Sequence, residues 1–258
     1  MNETEFATSA EQMVLEIEVH ARLTAAETGK KSFSGPVMEA IGKVPRHEFV
    51  PVELQSYAYL NRPLPIGYGK TISQPFIVAL MTDLLRLGED DVVLEIGTGL
   101  GYQAAILAQL ARQVYSVEIV EELEAEARKR LKRQRYANVE TRLANGCYGW
   151  PEHAPFDAIM VTAAPDLIPP ALIQQLKAGG RMMIPTGASL ETQQLMLVEK
   201  DAAGKTTVRE LLPVRFTSLI MEEDDMMDEE DEEDAFEEIA EDDELEETFD
   251  EEDETDEE

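Results

Sequence analysis

The sequence contains one cysteine, one tryptophan and three histidines in 258 residues, and aromatic residues make up only 6% of it. A single thiol, Cys147, can form no internal disulfide, which points to a reducing compartment. No apolar run approaches the ~20 residues that a membrane-spanning helix needs. The opening residues Met1-Asn2-Glu3-Thr4-Glu5 carry acids where a secretory leader would carry bases. These absences predict a soluble cytoplasmic protein with no membrane partner. His20, His47 and His153 stand apart, without the spacing of a ligand set, so no metal site is expected. Basic residues are also scarce: 22 Lys and Arg against 54 Asp and Glu, a formal net charge of -32. Without a basic stripe, phosphate repulsion argues against a nucleic-acid partner.

The missing bases are missing above all from residues 222–258, which hold 27 Asp and Glu among 37 residues and no Lys or Arg. Residues 1–221 then carry the other 27 acids against all 22 bases, a difference of -5, ordinary for a globular body. The scattered Met226, Met227, Phe236, Ile239, Leu245 and Phe249 cannot bury enough apolar surface to offset the entropy of ordering. The composition predicts a disordered acidic tail. Two readings of it stay open, a solubilising bristle and a docking segment for a basic protein partner.

Over the body, apolar residues recur at helical spacing from 10 to 27, with Ser9 as a cap, and a shorter helix is expected over 36–41. Pro45 and Pro51 bracket a stretch that reads as rigid and extended. A second short helix is expected over 52–59, and a loop over 61–69. Pro75 suits the first turn of a helix over 75–87 whose mouth holds Ser73. From 92 onward strands (92–96, 114–117, 139–143, 156–161, 181–184) alternate with helices (102–112, 121–134, 169–176). Segments 193–199 and 206–212 flank Asp201-Ala202-Ala203-Gly204 as an antiparallel hairpin. Strict alternation of strand and helix predicts an α/β fold: a doubly wound, mostly parallel sheet with helices on both faces, a C-terminal antiparallel hairpin and a helical N-terminal extension. The expected organisation is a helical region with a substrate-side loop over 1–90, a cofactor-binding α/β domain over 91–221 sharing one core with it, and the tail over 222–258.

The segment Val92-Val93-Leu94-Glu95-Ile96-Gly97-Thr98-Gly99-Leu100-Gly101-Tyr102 reads as a buried strand turning sharply into a helix. Glycines there let a ligand approach the main chain. A dinucleotide fingerprint needs a glycine at position 102, where Tyr102 stands. The spacing instead resembles the turn of class I S-adenosylmethionine-dependent methyltransferases. Glu95 would be its acid, and Gly97, Thr98, Gly99 and Gly101 its backbone cradle. Glu118, at the end of the next strand, suits the two ribose hydroxyls.

With its flanks, the chain resembles the protein-L-isoaspartate O-methyltransferases over 13–219. The residues that carry the likeness include Val44-Pro45-Arg46-His47-Glu48-Phe49-Val50-Pro51, Arg62-Pro63-Leu64-Pro65-Ile66-Gly67-Tyr68-Gly69, Thr71-Ile72-Ser73-Gln74-Pro75 and Ala154-Pro155-Phe156-Asp157. The likeness implies a Rossmann-like methyltransferase fold, S-adenosylmethionine as cofactor and isoaspartyl-containing proteins and peptides as substrates. Methyl transfer to the free α-carboxylate of an L-isoaspartyl residue would then let a succinimide form and reopen partly as aspartate. It also implies Ser73 as the active-site residue, with Thr71 and Ile72 beside it on the substrate. A carboxylate is already ionised at neutral pH, so no general base is required. The chain departs from the family pattern at Ala144-Asn145-Gly146, where Gly-Asp-Gly is usual; Asn145 would accept the adenine amine through its amide oxygen, beside Gly146. That departure leaves a second reading: a weak or silent methyltransferase fold that binds proteins through its acidic tail.

Overall fold

The computed structural model describes residues 2–188 and 192–220, so the expected acidic tail lies outside the described residues. The chain enters through α1 (Glu3–Leu23), which starts well before the expected Ser9. Asn2 Oδ1 accepts from the Glu5 amide at 3.0 Å while the Glu5 carboxylate accepts from the Asn2 amide at 2.7 Å. This reciprocal capping satisfies amide groups that the first helical turn leaves bare. Met13, Ile17 and Ala21 form its buried stripe, and Leu15, Val19 and Leu23 are exposed. Two short helices follow, α2 (Ala25–Thr28) and α3 (Gly35–Lys43).

The proline-bracketed stretch is not extended. Arg46–Phe49 forms a 3₁₀ turn in which the Pro45 carbonyl accepts from the Glu48 amide at 2.9 Å, and Val52–Tyr57 forms another. Proline fixes the entry and supplies a carbonyl, which is all that an i→i+3 turn requires of it. The expected loop over 61–69 contains a strand, β1 (Leu64–Gly67), paired antiparallel with β2 (Lys70–Ile72). Gly67, Tyr68 and Gly69 all have positive φ (89°, 58° and 60°), and they close this hairpin. The adjoining helix α4 (Pro75–Leu85) is buried along its whole length. Its one acid, Asp83, is held by Lys30 at 2.5 Å and by the Ser34 amide at 2.8 Å.

Seven further strands make the main sheet: β3 (Val92–Ile96), β4 (Gln113–Glu118), β5 (Val139–Leu143), β6 (Phe156–Val161), β7 (Leu176–Thr186), β8 (Gln193–Lys200) and β9 (Thr206–Val214). Their order is β5-β4-β3-β6-β7-β8-β9. Pairing is parallel from β5 to β7 and antiparallel from β7 to β9, as the alternation and the terminal hairpin predict. Helices α5 (Tyr102–Ala108), α6 (Glu121–Arg133) and α7 (Pro170–Gln175) are the crossovers that parallel pairing demands. Alternation along β3 divides the core: Val93 joins a cluster with α1, α3 and α4, while Leu94 and Ile96 join one with Trp150, Phe156 and Leu172. Both faces of the sheet are therefore covered. Strand order reverses at β3, whose neighbours are β4 and β6, and in open sheets ligands bind beyond the carboxyl ends of strands at such a reversal.

Candidate active site

The chain leaves β3 through the glycine turn, where Gly97, Gly99 and Gly101 have φ of 92°, 54° and 94°. Only glycine adopts such angles at low cost. Space is as strict as angle: a Cβ on Gly97 would stand 2.4 Å from Thr162 Oγ1. That Thr162 hydroxyl donates to the Gly97 carbonyl at 2.7 Å and so pins the turn to the end of β6. Gly101 then caps α5.

Glu118 ends β4 opposite the turn. Its carboxylate accepts from the amides of Gly99 at 2.8 Å, Ile119 at 2.9 Å and Val120 at 3.1 Å. Burial pushes its pKa up, while those amides and the charge of Lys70 pull it down. Glu118, Gly97, Gly99, Gly146, Thr71 and Lys70 line a cleft of about 570 Å3, counting the part open to solvent. A Cβ on Gly146 would stand 2.3 Å from Ile96 Cγ2, so that wall of the cleft closes to any larger residue.

The opposite wall comes from far along the chain. Residues 217–220 run beside the strand-end segment after β6: the Ala164 amide donates to the Thr217 carbonyl and the Leu219 amide to the Ala164 carbonyl, both at 2.8 Å. Thr217, Ser218, Leu219 and Ile220 all line the cleft. A second hollow continues from the first past Thr71, Ile72, Ser73, Thr98 and Tyr102, and the two share Gly97, Gly99, Thr71, Ile66 and Thr162. Ser73 thus adjoins the glycine turn across the hollow. The α4 mouth differs in detail from the expected one: Gln74 is the cap residue, Pro75 has no amide hydrogen, and the Phe76 amide already donates to Asn61 Oδ1 at 3.0 Å.

Three expected site residues stand back from the cleft lining. Gly101 packs under Leu131, against which a Cβ would lie 3.1 Å away. Asn145 caps the turn Gly146–Tyr148, its Oδ1 accepting from the Cys147 amide at 2.9 Å. Glu95 is fully buried behind the glycine turn. Ser116 donates a short hydrogen bond to its carboxylate, and the Ser116 hydroxyl lies 2.6 Å from that of Thr98. The other carboxylate oxygen of Glu95 has no hydrogen-bond partner among the described residues. Burial pushes Glu95 up to about 8, the Ser116 hydrogen bond working against the shift and the Glu118 charge adding to it. Glu95 therefore props the turn from beneath through Ser116 and Thr98, as an acid largely protonated at neutral pH.

The sequence alone did not mark Thr162 or residues 217–220, which reach the site by tertiary contact, nor Lys70, which directly precedes Thr71 in the cleft lining. Nor did it mark Arg46, whose Nη2 donates to the Ser73 carbonyl at 2.8 Å. Among the described residues no group of three or more His, Cys, Asp or Glu could hold a metal ion, and no helix is long and apolar enough to cross a membrane.

The family model described as protein-L-isoaspartate(D-aspartate) O-methyltransferase matches residues 21–224. A Polaromonas protein named protein-L-isoaspartate O-methyltransferase 1 is 57% identical over 219 residues, 85% of this chain and 92% of that one. A Syntrophobacter fumaroxidans protein named protein-L-isoaspartate O-methyltransferase 2 is 59% identical over 208 residues, 81% and 84% of the two chains. Among solved structures, one described as protein-L-isoaspartate O-methyltransferase superposes with a TM-score of 0.71 at 28% identity, over 82% of this chain and 66% of that one. A Plasmodium falciparum chain assigned to the same activity, in complex with S-adenosyl-L-homocysteine, superposes with a TM-score of 0.64 over 72% of this chain and 91% of that one. At 24% identity this last match bears on the fold alone.

Proposed function

The chain belongs to the protein-L-isoaspartate(D-aspartate) O-methyltransferase family, and from that membership we propose that it repairs damaged proteins by methylating the free α-carboxylate of L-isoaspartyl residues, with S-adenosylmethionine as methyl donor. The carrying observation is that Ser73 and the Gly97–Gly101 turn, far apart in sequence, border one continuous hollow.

The site suits such a donor. Gly97 and Gly146 keep two walls free of side chains where a Cβ would collide, and the Glu118 carboxylate is fixed at the strand end where a ribose would lie. When bound, S-adenosylmethionine supplies an electrophilic methyl group on a sulfonium sulfur. Gly97, Thr98, Gly99 and Gly146 would bind it by close backbone approach, Glu118 by accepting from hydroxyls, and Glu95, Gly101 and Asn145 by holding those elements in place. Thr71, Ile72 and Ser73 would orient the substrate carboxylate. The Ser73 hydroxyl makes no hydrogen bond among the described residues, which leaves it to donate to that carboxylate. Alignment of an ionised oxygen with the methyl carbon needs no proton transfer, so catalysis is positioning.

We place this activity in the cytoplasm, on proteins and peptides and not on nucleic acids, and assign the acidic segment 222–258 a basic protein surface as its partner. The decisive assay offers an isoaspartyl peptide and its aspartyl twin with labelled donor. Methyl ester is expected on the first alone, and equal labelling of both would overturn the reading. Identity of 57–59% to named relatives across the body gives the silent-module alternative no support.

A further inference from the structure

Arg46 opens a 3₁₀ turn, and its side chain is 0% exposed. Nε donates to the Ala58 carbonyl and Nη2 to the Ser73 carbonyl, each at 2.8 Å. The guanidinium carbon lies 4.8 Å from the centre of the Tyr102 ring. Among the described residues neither Nη1 nor the Tyr102 hydroxyl makes a well-formed hydrogen bond, although the guanidinium and that phenol are close enough to favour each other's charged forms. Among the described residues Arg46 forms no ion pair with a carboxylate; the charges that act on the guanidinium are those of the Tyr102 and Tyr59 phenols. Burial lowers its pKa to about 10, which leaves it charged at neutral pH, and burial pushes the Tyr102 phenol up, which leaves that neutral.

A buried cation without a counter-ion is expensive, and tying two carbonyls together does not require a full charge. Both groups that Arg46 touches on the cleft side, Ser73 and Tyr102, belong to the wall of the substrate hollow. The ligand read for that hollow brings one negative charge. We propose that Arg46 is the buried counter-charge of the substrate carboxylate, a positioning residue that acts through Ser73 and across the Tyr102 ring without touching the substrate. This rests on the methyl-transfer reading above.

The chemistry says where the effect must appear. As the carboxylate oxygen bonds to the methyl carbon, the carbon–sulfur bond breaks and its electron pair stays on sulfur. The carboxylate loses its negative charge as the sulfonium loses its positive one. A cation near the carboxylate therefore favours the bound substrate at least as much as the transition state, so its loss raises KM and spares kcat.

The test compares Arg46→Lys, which keeps the charge, with Arg46→Gln, which keeps a donor without it. With an isoaspartyl peptide, KM is expected to rise at least tenfold in Arg46→Gln and to stay within threefold of wild type in Arg46→Lys. In both, kcat and the affinity for S-adenosylhomocysteine should hold within threefold. A fall in kcat at constant KM, or equal KM for the two variants, would overturn the proposal and leave Arg46 as a brace for Ser73. If Arg46→Gln does not fold, the wild-type protein carries the test. The ratio of its affinities for the isoaspartyl peptide and for the α-carboxamide twin, which cannot be methylated and is read by competition, should change less than twofold between 50 mM and 1 M salt, because a buried charge is little screened. A tenfold loss of preference would assign the attraction to exposed bases instead. An inactive wild-type protein would sink the methyl-transfer reading, whereas an active one with indifferent Arg46 variants would sink only the counter-charge.

Discussion

Replacing Glu95 by glutamine tests the account of the glycine turn most directly. The folded protein holds this carboxyl near 8 against an ordinary value of 4.5. Between those values the native state binds a proton that the unfolded chain has released, so stability falls as pH rises. The contribution is fully present below 4.5 and is lost as pH passes through about 8. From pH 6 to pH 9 the protein crosses roughly two units of that range, at about 1.4 kcal/mol per unit, so about 3 kcal/mol should disappear. Urea unfolding of wild type and Glu95→Gln at pH 6, 7, 8 and 9 reads this, since the amide does not titrate. Subtracting the two curves removes the histidines and other groups common to both. The wild-type protein should lose about 3 kcal/mol relative to the variant over that range. A difference constant to within about 1 kcal/mol would mean that the carboxyl is ionised in the folded state, and that it does not prop the turn as an acid.

Other consequences are simpler to measure. Ser73→Ala should lower kcat about tenfold to a hundredfold, the loss of one oriented hydrogen bond to a charged group, while calorimetry shows S-adenosylhomocysteine binding unchanged. Gly146→Ala must push Ile96 aside; a short, branched strand residue yields little, so thermal unfolding should show a loss of about 1–3 kcal/mol and cofactor affinity should fall with it. Removing residues 222–258 should leave kcat and KM within twofold on a short peptide while abolishing retention on a basic protein column. Intact retention would remove the proposed role of the tail.

Much of the architecture was legible because parallel α/β chains write it in periodicity: apolar strands, polar-faced helices and the reversal at 92–101 are all local signals. The glycine spacing was legible for a similar reason, since positive φ at 97, 99 and 101 leaves few other residues acceptable. What was obscure is non-local or was masked by a competing signal. Asn2 and Glu5 cap α1 ahead of the apolar stripe that marks the helix, so the start was placed late. Pro63 and Pro65 hid the β1–β2 hairpin, yet a two-stranded ribbon tolerates an edge proline. The motif marks Glu95 but not its surroundings, a fully buried place beside Ser116 that only the fold supplies. Thr162 and Thr217 carry no local mark; only the fold brings them to the cleft.

The wall built from residues 217–220 also gives the site a date of birth. A ribosome delivers β3, β4 and β6 long before it delivers Thr217, so the nascent sheet can pair while its cleft still lacks one side. Cutting the chain between Val214 and Thr217 would leave β9 complete and the wall 217–220 held only by its own contacts, such as the two hydrogen bonds to Ala164. Were that fragment to leave, the cleft would lose one side with every strand still present, and a probe of the sheet alone would not register the change.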